Sequence, residues 1–349
     1  MMNVYLIMPG EISKELTEMV KFFTKDVDTI IIKDSDNIPN LQNKKIIFAV
    51  QLNNIGWNIK LFEILTKLYE RGTNALKGSS GFILIHSPLE FYTKSMAQNI
   101  IFIANQMGCR FPGHPVIECI EDLKNFRTWE KKLKIPLKNI CNKLCEKFGK
   151  TFFQDNPKLI KKPKILALHA SSYETSNTLT LWRMIRRHIY DCEIREFHVE
   201  NGTIVDCKGC SYKTCKHYSK RNSCFYGGAV VKEILPSIER ADAVVWICPN
   251  YNDAISAKIM AVINRMTVLY RKTKFYNKTM FGVIVSGNSG SDSVAKQLIG
   301  ALNINKSFRL PPYFAVTAIA NDPGEIIKVK GIEEKSKKFA ENIMREIKA

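Results

Sequence analysis

"KILALHASSYETSNTLTLWRMIRRHI", residues 164–189, opens with an apolar run of strand length and closes with apolar residues at helical spacing. Between them lies "ASSYETSNT", 170–178. Ser171, Ser172, Thr175, Ser176 and Thr178 supply five hydroxyls and Asn177 an amide, all at the start of the helix. A helix N-terminus presents free N–H groups and the positive end of its dipole, so it favours an anion. An ordinary cap needs only one such residue. The surplus reads as a phosphate site. It is not a glycine-rich dinucleotide fingerprint, because no G-x-G-x-x-G follows the strand.

The same strand–helix alternation extends in both directions. Strands are expected at 164–170, 192–199, 243–249, 279–287 and 313–320, with helices near 178–190, 229–240, 256–270, 291–303 and 331–347. An earlier run repeats the plan. It has strands at 3–9, 29–34, 44–52, 81–87 and 115–120, and helices at 11–26, 58–71 and 94–107. Apolar strands alternating with helices describe parallel sheets covered on both faces, that is, a doubly wound α/β fold. Five strands suit the flavodoxin-like order. The chain therefore reads as two flavodoxin-like doubly wound parallel-sheet domains in tandem, the N-terminal one degenerate. The expected domains are 1–128, a helix and linker over 129–163, and 164–349 with a Cys-rich insertion at 205–228.

Composition sets the outer bounds. The chain has 349 residues, 45% hydrophobic and 24% charged, enough for two cores. No secretory signal pattern or membrane-length apolar run stands in it, so the expectation is a soluble cytoplasmic protein. The net charge of +19 is spread along the chain rather than gathered in a basic, aromatic-interleaved stripe. It therefore reads as a solvated basic surface that attracts anionic ligands, not as a nucleic-acid site.

In a doubly wound sheet, ligands bind beyond the carboxyl ends of the strands. After the third strand of the second run comes "CPNYNDAISAKIMAVINR", 248–265, and after the fourth "SGNSGSDS", 286–293. With the first loop, these resemble the NADPH-dependent FMN reductase family over about residues 164–320. The resemblance lies in S-x-x-x-x-S-N-T after the first strand. It also lies in Pro249, Tyr251, Ser256, Ala257, Lys258 and Arg265 after the third. It implies FMN as cofactor and NAD(P)H as co-substrate. Ser171, Thr175, Ser176, Asn177 and Thr178 would hold the phosphate. Pro249, Asn250, Tyr251 and Asn252 would line the ring with Ser286, Gly287, Asn288 and Gly290. Two departures stand out: Tyr173 and Glu174 replace an Arg common in the first loop, and Asn252 or Asp253 replaces a Gly common after the Tyr. The expected activity is electron transfer from NAD(P)H through flavin to a small-molecule or protein acceptor. The alternative is an electron carrier without nicotinamide turnover. A homo-oligomer with no nucleic-acid or membrane partner is expected.

Cys207, Cys210, Cys215 and Cys224 read C-x2-C-x4-C-x8-C, placed after the second strand. In a reducing compartment such thiols are ligands or free, not bridges. The position resembles that of the four-cysteine motif of iron–sulfur flavoproteins, which implies a [4Fe-4S] cluster. Zinc, with His217 close by, and a metal-free loop are the other readings. The first run's opening loop, "PGEIS" (9–13), lacks the hydroxyl cluster, so no FMN phosphate site is expected there.

Overall fold

The computed structural model describes residues 4–200 and 204–349. Asn3, the first residue of the expected 3–9 strand, lies outside them. The chain divides between Asn156 and Pro157 into two compact units.

In the first unit, β1 (Val4–Ile7), β2 (Thr29–Ile32), β3 (Lys45–Gln51), β4 (Ser80–Ser87) and β5 (Val116–Ile120) pair in the order β2-β1-β3-β4-β5, all in parallel. The helices are α1 (Lys14–Phe23), α2 (Ile59–Glu70), α3 (Thr93–Gln106), α4 (Arg127–Leu133) and α5 (Leu137–Gln154). Ser13 caps α1 and Asn58 caps α2, each side-chain oxygen accepting from an N–H in the first turn. The sequence reading puts 137–154 in the connection between domains. The structure places α5 in the first core instead: Ile140, Cys141, Cys145 and Phe152 are buried with Leu16, Met19 and Phe23 of α1. Gly149 allows the approach, since a Cβ there would meet the Phe23 carbonyl oxygen at 2.1 Å.

In the second unit, β6 (Lys164–His169), β7 (Glu193–His198), β8 (Ala243–Pro249), β9 (Thr279–Ser286) and β10 (Ala315–Ile319) pair in parallel as β7-β6-β8-β9-β10. Both sheets thus carry the flavodoxin-like order 2-1-3-4-5. The helices are α6 (Asn177–Arg186), α7 (Tyr212–Lys220), α8 (Leu235–Arg240), α9 (Ala257–Arg265), α10 (Thr267–Lys272), α11 (Ser291–Leu298) and α12 (Ile332–Ile347). On one face, Ile165 and Ala167 of β6, Phe281 and Val283 of β9, Trp182 of α6 and Phe339 of α12 share a core. Every residue of β9 is buried, as a strand covered on both faces must be. Among the described residues no helix is long and apolar enough to cross a membrane.

Candidate functional site

The strand order puts the switch point of the second unit between β6 and β8, whose carboxyl ends lead into the first and second loops. Ser176 caps α6, its hydroxyl accepting from Leu179 N at 3.2 Å and its carbonyl from Thr180 N at 3.0 Å. Its hydroxyl is therefore partly committed to the helix. From Ser172 to Thr178, no backbone N–H donates to another protein group among the described residues. Polar N–H groups left open at a helix start form a receptor for an anion. Among the described residues, no Lys or Arg lines the cleft they face. A phosphate here would be held by N–H groups and hydroxyls.

Asn177 behaves differently from its sequence assignment. Its Nδ2 donates to Ala320 O at 3.2 Å and Asp322 O at 2.7 Å, and its Oδ1 accepts from Ile326 N at 3.3 Å. The side chain fastens the loop after β10 to α6, and so it offers an anion only its backbone N–H. This contact brings Ala320 and Asn321 to the site. The sequence reading missed both, although "AIANDPGE" (318–325) carries the turn residues of a strand-end loop.

The ring loops are locked to one another. Tyr251 and Ala254 exchange backbone hydrogen bonds of 3.3 and 3.1 Å around Asn252 and Asp253, whose φ values are +52° and +56°. Positive φ at both central residues makes a type I′ turn. Asn and Asp adopt this conformation more readily than other non-glycine residues, so the departure from a family glycine leaves the turn intact. Asn250 Nδ2 lies 2.8–3.1 Å from Ser289 O, Ser286 Oγ and Asp253 Oδ1. Its Oδ1 is buried with no donor among the described residues, an acceptor that a ligand N–H would satisfy. Ser286 is fully buried and shares a 2.7 Å hydrogen bond with Ser291. It supports the loop rather than lining the cleft, contrary to the sequence assignment. Gly290 has φ +82°, and a Cβ there would fall 1.7 Å from Asp253 Oδ1. Only glycine serves at that position.

Together the loops enclose a cleft of about 830 Å³. Ser172, Thr175, Ser176, Asn177 and Thr178 line one end. Pro249, Asn250, Tyr251, Asn252, Asp253, Val285, Gly287 and Asn288 line the rest, with Ala320 and Asn321. Ser171, Ser286 and Gly290 stand outside the lining. Ser171 is buried, and its hydroxyl has no partner among the described residues. The volume and the mostly polar loops suit a ligand with a flat polar ring and an anionic tail.

Beneath the first loop, His169 ends β6 fully buried, its Nε2 3.7 Å from Glu196. It stacks on His198 at 4.7 Å, while Tyr173 of the loop meets both rings edge-on. Burial first, then the neighbouring His198, pushes His169 down to a pKa of about 4.

The cysteine segment is anchored elsewhere. Arg265, buried at the far end of α9, donates from Nη1 to Val205 O at 3.3 Å and from Nη2 to Gly227 O at 2.6 Å. Nine helical residues, about 13 Å, separate this clamp from the ring loop. Among the described residues of 204–228, none lines the cleft. Nor is the segment an irregular loop. Ser211 caps α7 over residues 212–220, so the first part of the polar stretch "KHYSKRNS" (216–223), helix-poor by composition, is helical. Cys207 is exposed; Cys210, Cys215 and Cys224 are half-buried. Among the described residues, no group of three or more His, Cys, Asp or Glu side chains is placed to hold a metal ion. The four thiols as arranged do not fit an iron–sulfur cluster or zinc.

Residues 163–321 match the family model for NADPH-dependent FMN reductase. No curated protein matches the chain. Among solved structures, it is similar to the NAD(P)H:quinone oxidoreductase from Methanothermobacter marburgensis, at 12% identity over 52% of this chain and 99% of that one, with a TM-score of 0.40. It is similar to the azoreductase from Bacillus anthracis str. Sterne at 11% identity, over 53% and 98%, with a TM-score of 0.39. It is also similar to RosB with bound 8-demethyl-8-formylriboflavin-5'-phosphate, at 15% identity over 54% and 81%, with a TM-score of 0.39.

Proposed function

We propose that this chain is an FMN-dependent NAD(P)H oxidoreductase whose flavin occupies the cleft of the second unit. One observation carries the reading: a run of open N–H groups and hydroxyls at the start of α6 ends a cleft whose other loops leave the Asn250 amide oxygen without a donor. The family match over 163–321 supports it. Bound there, FMN would accept hydride from the nicotinamide and pass the electrons to an acceptor.

The protein's own part is binding and orientation. The first loop holds the anionic tail through N–H groups, Thr175 and Thr178. The type I′ turn at 251–254 and the glycines of the third loop let backbone approach the ring. The half-exposed Tyr251 leaves one side of the cleft open for the nicotinamide and the acceptor in turn. We assign no step to the four cysteines. The first unit carries no flavin in this reading: its opening loop has one hydroxyl, Ser13, which accepts from Leu16 N and shares a 3.1 Å hydrogen bond with His86.

The test is reconstitution. Purified protein should quench FMN fluorescence with one site per chain and oxidise NADH or NADPH with ferricyanide as acceptor. Failure to bind FMN would end the proposal, and binding without nicotinamide oxidation would reduce it to a carrier.

A further inference from the structure

A basic surface assembles in three dimensions that the sequence only scatters. Segments 204–228, 266–278 and 305–309 hold eleven Lys or Arg and a single acid, Asp206. The structure joins them. α7 packs on α10, with the Arg271 guanidinium 4.5 Å over the Tyr212 ring and Lys272 Nζ donating to Asn222 Oδ1 at 2.8 Å. Lys306 joins α10 through a 2.9 Å hydrogen bond to Thr267. Asp206 is already taken, accepting from Asn264 at 3.0 Å.

We propose that this face, formed by α7, α10 and Lys306, docks an acidic protein surface. The first argument is uncompensated charge. Arg271, Lys274 and Lys306 lie close together, and none has a carboxylate partner among the described residues. Burial, then the neighbouring Arg271 and Lys274, hold the Lys306 ammonium below its ordinary range, and Lys274 and Lys306 both stand against the Tyr270 ring, at 3.6 and 5.5 Å from its centroid. Like charges gathered at a cost are relieved by carboxylates brought from outside.

The second argument chooses the partner. Single-stranded nucleic acid needs free aromatic faces for its bases. Here the protein's own cations stand against three of the rings. Lys208 sits 3.6 Å from the Phe225 centroid, Lys274 3.6 Å from Tyr270, and Arg271 over Tyr212. Tyr212, Phe225 and Tyr226 keep part of their surface exposed between the ammonium groups, whose spread suits dispersed carboxylates. A dimple of about 30 Å³ is lined by Leu235, Pro236, Val268 and Leu269, with Ser219, Asn222 and the Lys272–Glu239 pair at its edge, and has room for the tip of one small side chain. The face is separate from the cleft, so docking and flavin binding are independent.

Fluorescein-labelled poly-L-glutamate, a (dT)20 oligonucleotide and phosphatidylserine vesicles would be titrated with the full chain at equal salt. Poly-glutamate should bind best. Lys208→Glu/Lys216→Glu/Lys274→Glu should weaken it at least roughly tenfold, while Lys131→Glu/Lys132→Glu/Lys147→Glu, with the same charge change in the first unit, should weaken it less than about threefold. FMN affinity should stay unchanged in both. As a check needing no variant, poly-glutamate should protect Lys208 and Lys274 of the wild-type chain from acetylation. Equal losses in the two variants, tighter binding of (dT)20 or vesicles, or no protection would each overturn the proposal.

Discussion

The rings of His169 and His198 stack with centroids 4.7 Å apart and planes 11° from parallel, under the loop that begins α6. Tyr173 of that loop stands edge-on to both. Glu196, 3.7 Å from His169 Nε2, is held by the Trp182 indole at 2.9 Å and by Arg186 at 3.5 Å. Glu200 lies 3.8 Å from His198, and Arg183 lies over Tyr173. Burial and His198, outweighing Glu196, keep His169 neutral down to about pH 4.

Stability should therefore depend on pH in a defined window. His169 titrates near 4 when folded and near its ordinary value of about 6.5 when unfolded. Between those values the unfolded chain binds the extra proton, so stability is full above about pH 6.5 and falls as pH drops toward 4, by up to about 3 kcal/mol. Urea melts from pH 7.5 to 4.5 would show it. His169→Phe keeps a ring on His198 and should flatten the profile; an unchanged slope would clear His169 of the effect.

Arg265 spans the neck of the cysteine segment. A lysine has one nitrogen and cannot reach Val205 O and Gly227 O together as the guanidinium does. Arg265→Lys should lose a charge-assisted hydrogen bond worth about 1.5–3 kcal/mol. Trypsin cleavage at lysines 208–220 should then accelerate about tenfold or more. Cleavage at the wild-type rate would show that other contacts hold the segment.

Gly290→Ala sets a Cβ against Asp253 at a backbone angle that disfavours it. Melting should fall by several degrees, reflecting a cost above about 1 kcal/mol, with weaker FMN binding. Wild-type melting and affinity would mean the two ring loops are not coupled as described.

The reach of the sequence differed by feature. Apolar strands covered on both faces write an unmistakable pattern, so all ten strands were legible, and so were the three loops that supply most of the cleft's lining. What was hidden depends on partners far along the chain. Asn177 looks like a ligand group until Asp322 is found beside it, and Ser286 until Ser291 is. The helix at 137–154 looks like a connection until Phe23 meets Gly149. The cysteines lie close in sequence, but a helix and a distant arginine decide where they point.

The central claim is that the start of α6 holds the phosphate of FMN, and a paired titration tests it most directly. FMN and riboflavin would be titrated into wild type, Thr175→Ala/Thr178→Ala and Asn177→Ala. The threonine pair should cost FMN at least roughly tenfold and leave riboflavin, which lacks the phosphate, nearly unchanged. Asn177→Ala, which frees the loop carrying Asn321, should weaken both alike. Equal losses of FMN and riboflavin in the threonine variant would contradict the account.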